Sequence, residues 1–246
     1  MNNDRPKLLI CDFDGCLYPY PDNSEDVFKR AMIKTGHEIS GGAWSQDTSI
    51  ANILNSFNQH GIGFKDVAAA FNISMAEANL IHHRNTIFDL QRDERLINAL
   101  QNIDRSRAIP MVLTQASRCH LDRHMPQIGI EYEIPRNLCV TADEHGFNRL
   151  KHNSDYPWQF AKWRAEQVTG LTFQDADIYV FEDTAKNLIR PHQMGWNTVY
   201  IHHDQPLDTL PVHIHTQESH VARVMRKFPQ KNAPNAKHLT HPNALG

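Results

Sequence analysis

Short apolar runs recur along the chain, separated by longer stretches in which apolar residues return every three or four positions. The runs are "KLLICDF" (7–13), "IPMVLT" (109–114), "NLCVTA" (137–142), "DIYVFE" (177–182) and "NTVYI" (197–201). Each is short for a helix and nearly unbroken in its apolar character, which predicts strands buried on both faces. Between them, "DERLINALQNI" (93–103) places Leu96, Ile97, Leu100 and Ile103 on one helical face. "RCHLDRHMPQIGI" follows the second run, with Ser117 at the N-cap position. "PWQFAKWRAEQVTG" follows the third and stops at Gly170. "TAKNLIRPHQMG" follows the fourth and stops at Gly195, with Pro191 expected to shorten or kink it. This alternation predicts βαβ units: an α/β fold with a Rossmann-like parallel sheet covered by helices.

One interval breaks the rhythm. Between the first strand and residue 93 only helical patterns occur: "SEDVFKRAMIKTG", "SQDTSIANILNSFNQHG", "FKDVAAAFN" and "SMAEANLIHHRNTIF". The last opens with Ser74 and Glu77, the spacing of a capping box. The expected organisation is an α/β core at 1–21 and 91–203, an inserted all-helical cap at 22–90, and a tail at 204–246. The tail is expected to be loose or partly disordered, apart from a short helix near "ESHVARVMRKF".

Composition narrows the function classes. The 246 residues carry a formal net charge of -3 and 22% charged residues, so no bulk electrostatic case exists for nucleic acid or an anionic membrane. "DVAAAFNISMAEAN" has the rhythm of a helix-turn-helix but no basic recognition face. The polar start and the shortness of every apolar run argue against a signal peptide or membrane span. Cys11, Cys16, Cys119 and Cys139 form no CxxC pair, which fits reduced thiols and a cytoplasmic location. The 16 histidines are scattered and make no metal-binding motif, so solvated or core-edge placements are expected for them.

In an open parallel sheet, ligands bind beyond the carboxyl ends of the strands. The first strand offers Asp12 and Asp14 there, the second Thr114, and the fourth Glu182 and Asp183. Lys151 stands in the loop before the third helix. Several carboxylates at one rim repel each other unless a cation sits among them, and Mg²⁺ suits oxygen ligands that it shares with a substrate phosphate. A hydroxyl and a lysine beside them would take the remaining phosphate oxygens. One carboxylate can then act as nucleophile through an aspartyl-phosphate, and a second can serve as general acid and base.

These stretches resemble the haloacid dehalogenase superfamily on its phosphatase side. "DFDGCLYP" is similar to the family's DxDx[TC]L opening motif, "VLTQAS" to its second, Lys151 to its third and "YVFEDTAKN" to its acidic fourth. The resemblance implies Asp12 as nucleophile, and Asp14 as general acid/base with its carbonyl on the metal. It implies Thr114 and Lys151 as phosphate partners, and Glu182 and Asp183 as Mg²⁺ ligands. The helical insert would close over a small phosphorylated metabolite. The dehalogenase branch lacks the second aspartate, so Asp14 favours phosphate chemistry. "CLYPYP", "IHHRNTIFDLQRDERLINAL" and Asn187 bring the likeness closest to the pyrimidine 5'-nucleotidase-like group. Gly15 and Gln115 stand where that group commonly has asparagine, and substrate contact is expected of both.

Several placements stay open on the sequence. Lys162 is the rival to Lys151, but it falls inside a helix. Tyr18 and Tyr20 either line the pocket or pack the turn after the strand. His82, His83, Arg84 and Asn85 are consecutive on a helix, so at most two face substrate, and a solvated face is the ordinary outcome. Two other functions compete: phosphoryl transfer between positions on a sugar, as in the phosphoglucomutase-like branch, and a non-catalytic binding scaffold.

Overall fold

The computed structural model describes residues 5–231. Its centre is a six-stranded, all-parallel sheet in the order β3-β2-β1-β4-β5-β6. The strands are β1 (Lys7–Cys11), β2 (Ala108–Leu113), β3 (Cys139–Val140), β4 (Ile178–Glu182), β5 (Asn197–Ile201) and β6 (Thr216–Glu218). β1 and β2 are buried almost end to end. That is why they read as unbroken apolar runs rather than alternating ones. The helices are α5 (Glu94–Asn102), α6 (Arg118–Ile128), α7 (Ala142–His145), α8 (Tyr156–Thr169), α9 (Ile189–Gln193) and α10 (Val221–Met225). Between β4 and α9 a 3-10 turn, Ala185–Leu188, takes the place of a longer helix, as Pro191 leads one to expect.

Helix ends follow local chemistry. Asp93 caps α5 by accepting from the backbone N–H of Arg95 and Leu96. Gly170 closes α8 with φ 70°, which only glycine adopts without strain. Ser117 occupies the N-cap position of α6, but its side chain caps nothing.

Four helices follow β1: α1 (Ser24–Ile39), α2 (Gln46–His60), α3 (Lys65–Phe71) and α4 (Met75–Asn85). Ser45 and Ser74 cap α2 and α4 through side-chain oxygens. These helices hold their own small hydrophobic cluster of Ile53, Phe64, Val67, Ala68 and Ala78, apart from the large core around the sheet. Among the described residues no helix is long and apolar enough to cross a membrane. The four cysteines form no disulfide, and Cys11, Cys16 and Cys139 are buried.

The segment after residue 204 differs from the expectation of a loose tail. β6 lies parallel to β5, and α10 packs on α5. Ile214, Val221, Ala222, Val224 and Met225 join the main core. His220 caps α10 and ties it to α5 by donating from Nε2 to Asp93 Oδ2 at 2.8 Å. The apolar side of this short amphipathic stretch supplies the stabilisation that its polar composition concealed. Residues 232–246 of the expected tail lie outside the described residues.

If this segment belongs to the core, Met225→Ala lowers unfolding stability by about 2–5 kcal/mol, measured by urea denaturation. An unchanged midpoint would show that the segment is only loosely attached.

Candidate active site

The sheet turns from one winding direction to the other at β1, with β2 on one side and β4 on the other. Cys11 pairs with Val112 of β2 and with Phe181 of β4. Asp12 and Glu182 come next on β1 and β4, and Thr114 one residue further along on β2, so all three emerge at the carboxyl edge. The Asp12 N–H donates to Phe181 O at 2.9 Å and the Thr114 N–H to Val140 O at 3.0 Å, so the edge stays rigid to its last residue.

Lys151 reaches this edge from the loop before α8. Its ammonium is 1% exposed and lies 2.6 Å from Asp12 Oδ1 and 2.9 Å from Glu182 Oε2. Lys151 O in turn accepts from Trp158 Nε1 at 2.8 Å. Burial alone would lower the Lys151 pKa, but the two carboxylates outweigh it and hold the lysine charged. Lys162, the rival in sequence, is bound elsewhere, to Asp175 at 2.9 Å. Glu182 also accepts from Asn187 Nδ2 at 3.1 Å and from the Thr184 N–H at 3.3 Å.

One ammonium does not balance the carboxylates here. Ligand oxygens of Asp12, Glu182 and Asp183 all lie within 4.8 Å of one another. Burial and the charge of Glu182 push Asp12 well up, and burial with the charge of Asp12 pushes Asp183 up to about 7. Three hard oxygen donors with excess negative charge fit a divalent cation such as Mg²⁺. Gly15 permits this crowding: its φ is +73°, and a Cβ there would come 2.3 Å from Asp183 Oδ2.

Asp14 points away from this cluster. Its Oδ1 accepts from the hydroxyl of Tyr18 and from His120 Nε2, the latter at 2.7 Å. Burial would raise its pKa, but His120 and Tyr18 outweigh it and hold it at about 2. Asp14 Oδ1 is thus taken up by His120 and Tyr18, and the Asp14 side chain stands outside the cluster of Asp12, Glu182 and Asp183, in keeping with an expected metal contact through its backbone carbonyl alone.

A cavity of about 580 Å³ opens between the sheet edge and helices α1–α4. Asp12, Asp14, Thr114, Gln115, Lys151 and Asp183 all line it. Gly15 does not; it borders a separate groove on the other side of Asp183, and its carbonyl accepts from His203 Nε2 at 2.6 Å. Gly15 thus stands outside this cavity, where its missing Cβ lets Asp183 come close. Tyr20 lines the cavity, whereas Tyr18 is buried behind it against Phe13.

The histidines differ most from expectation. His82 and His83 are partly buried and face the cavity, whereas Arg84 turns outward to Glu38. Burial, with repulsion from His120, pushes His82 down to about 3 and His83 well below the usual histidine range. His120 escaped sequence reading altogether. Its signal was its spacing with His124, four residues on along the helix that begins just after Thr114.

No protein-family model matches the chain, and no curated protein matches its sequence. Solved structures do match its fold. A haloacid dehalogenase-like (HAD) phosphatase from Thermococcus onnurineus superposes with a TM-score of 0.57 at 11% identity, over 90% of this chain and 96% of that one. A Thermotoga maritima protein provisionally named β-phosphoglucomutase gives 0.56 at 15% identity, over 90% and 99%. An L-2-haloacid dehalogenase gives 0.51 at 12% identity, over 91% and 98%.

A cation among Asp12, Glu182 and Asp183 competes with protons. Because the folded pKa of Asp183 is raised, metal-free protein keeps the favourable protonated form at low pH and loses that stability as pH rises through about 7. Mg²⁺ should therefore raise Tm more at pH 8 than at pH 6, and Asp183→Asn should abolish the difference. Equal shifts at both pH values would contradict a carboxylate-bound ion. Together these comparisons establish that the chain has the α/β fold of haloacid dehalogenase-like proteins.

Proposed function

We propose that the protein is a phosphatase that hydrolyses a small phosphomonoester through an aspartyl-phosphate on Asp12. The observation that carries this reading is the convergence on one cavity edge of Asp12, the buried ammonium of Lys151 and the second carboxylate, Asp14. A dehalogenase has no need of that second carboxylate.

In the first step an Asp12 carboxylate oxygen forms a bond to phosphorus as the phosphorus–ester oxygen bond breaks. The leaving oxygen takes a proton from Asp14, giving a free alcohol and an Asp14 carboxylate. In the second step a water oxygen bonds to phosphorus, the bond to Asp12 breaks, and the water proton passes to Asp14. His120 and Tyr18 keep Asp14 ionised in the free protein, which is its form as base. The dianionic phosphate beside it favours the proton uptake that the first step needs.

Lys151 neutralises charge on the phosphoryl group, and Thr114 offers it a hydrogen bond. Asp12, Glu182 and Asp183 would hold Mg²⁺, which when bound supplies further neutralisation of phosphoryl charge. The helices α1–α4 act as the cap that excludes water during transfer.

The cap wall supports a substrate class. Met32, Ile53, Leu54, Phe57 and Phe64 line it, with Asn79 and His82 as polar points. An apolar wall of this kind suits the flat face of a nucleobase better than the hydroxyls of a sugar. The wall thus supports a nucleoside monophosphate, and the sequence's resemblance to the pyrimidine 5'-nucleotidase-like group narrows the proposal to a pyrimidine one, with the cytoplasm as its proposed setting. A sugar phosphate hydrolase or phosphomutase is the alternative.

Phosphate release with Mg²⁺ from a panel of nucleoside monophosphates and sugar phosphates tests this. The expected result is turnover of pyrimidine monophosphates, reduced at least about 10³-fold in Asp12→Asn. Full activity in Asp12→Asn would overturn the mechanism, and isomerised sugar phosphate without free phosphate would favour the mutase.

A further inference from the structure

Asp14 Oδ1 is doubly occupied. It accepts from the Tyr18 hydroxyl and from His120 Nε2 at once, which leaves Oδ2 as the uncommitted oxygen of a residue that lines the cavity. The His120 ring is 2% exposed and cannot swing away. It packs edge-on against Phe13 and Phe88, lies 4.2 Å from the His124 ring, and is covered on the cap side by His83 at 5.2 Å between centroids. Because Asp14 Oδ1 is an acceptor, the Nε2 of His120 carries the proton. Its Nδ1 is buried without a partner among the described residues, so Asp14 is the only polar group there that the ring engages.

The backbone under His120 is fixed as well. His124 Nδ1 donates to His120 O at 2.8 Å, and His124 Nε2 accepts the Phe88 N–H at 3.1 Å. Gln127 Oε1 accepts the Leu90 N–H, and Arg123 donates to His83 O and Thr86 O. Ser117 N–H donates to His83 Nδ1. Helix α6 thus grips the limb by which the chain returns from α4, and through His120 it grips Asp14.

We propose that His120 is a positioning residue which, together with Tyr18, occupies Asp14 Oδ1 and thereby selects Oδ2 as the oxygen that exchanges the proton with leaving group and water. This rests on the phosphatase reading above. A carboxylate free to rotate would present either oxygen at a variable angle, and proton transfer requires hydrogen-bond geometry to the reacting oxygen.

The test compares two aryl-bearing substrates of similar shape. p-Nitrophenolate leaves without a proton, whereas the benzyl alkoxide needs one. kcat/KM reports the phosphorylation step, in which Asp14 acts as acid. In His120→Ala the ratio of kcat/KM for benzyl phosphate to that for p-nitrophenyl phosphate should fall at least about 10-fold. His120→Gln, which keeps an N–H donor, should recover part of it. Tyr18→Phe should lower the ratio in the same direction, and it serves with His120→Gln if the alanine variant fails to fold. Equal losses on both substrates would overturn the inference while leaving the phosphatase reading intact, provided Asp12→Asn abolishes turnover. If the unaltered protein hydrolyses neither substrate nor any member of the phosphate panel, the phosphatase reading fails and the inference falls with it.

Discussion

The site depends on one buried ammonium. Lys151 holds Asp12 and Glu182 together at the ends of adjacent strands and opposes the burial that pushes both carboxylates up. A buried ion pair of this kind adds little net stability, because desolvation offsets most of the attraction. What it contributes is placement. The lysine fixes Asp12 Oδ1, balances part of the negative charge, and leaves a remainder that a divalent cation suits. The cost is carried by the sheet, whose parallel pairing positions these side chains before any ligand arrives.

The two halves of the molecule meet through α6. On one side it follows Thr114, at the carboxyl edge of β2; on the other it bonds the chain returning from the cap. His120 faces Asp14 from this helix, so the proposed acid/base group is held by the element that also bonds the chain returning from α4. Asp12 and Asp14 are consequently in different environments although only two residues apart. Asp12 is set against a lysine and two carboxylates, and Asp14 against a histidine and a tyrosine. One environment suits a nucleophile and the other a group that gives and takes protons.

Much of this was legible in the sequence because parallel strands buried on both faces have an unmistakable pattern. The five apolar runs correspond to β1–β5, and the acidic, hydroxyl and lysine residues at their ends converge as strand geometry requires. β6 was not legible: "TQE" is short, polar and at the sheet edge, so it lacks both length and apolar alternation. The helix after it was visible, but its burial was not, since a few apolar residues among charges look the same on a loose segment. The histidines failed for a different reason. Helical spacing shows which residues share a face but not what that face meets, so His82, His83 and His120 could be assigned to the cavity only once α4 and α6 were placed against each other. The closeness of Gly15 to Asp183 was not legible either, because it comes from a turn with positive φ.

The central claim is that Asp12 becomes covalently phosphorylated. The most direct measurement is to incubate the Asp14→Asn variant with Mg²⁺ and p-nitrophenyl phosphate, whose leaving group needs no proton, quench in acid, and locate any phosphoryl group by peptide mass spectrometry. Phosphorylation is followed by a hydrolysis that needs Asp14 as base, so the intermediate should accumulate. A phosphoryl increment on the peptide containing Asp12, absent when Asp12 is also replaced, is the predicted result. Phosphate release without any covalent increment, or an increment on another residue, would contradict the account.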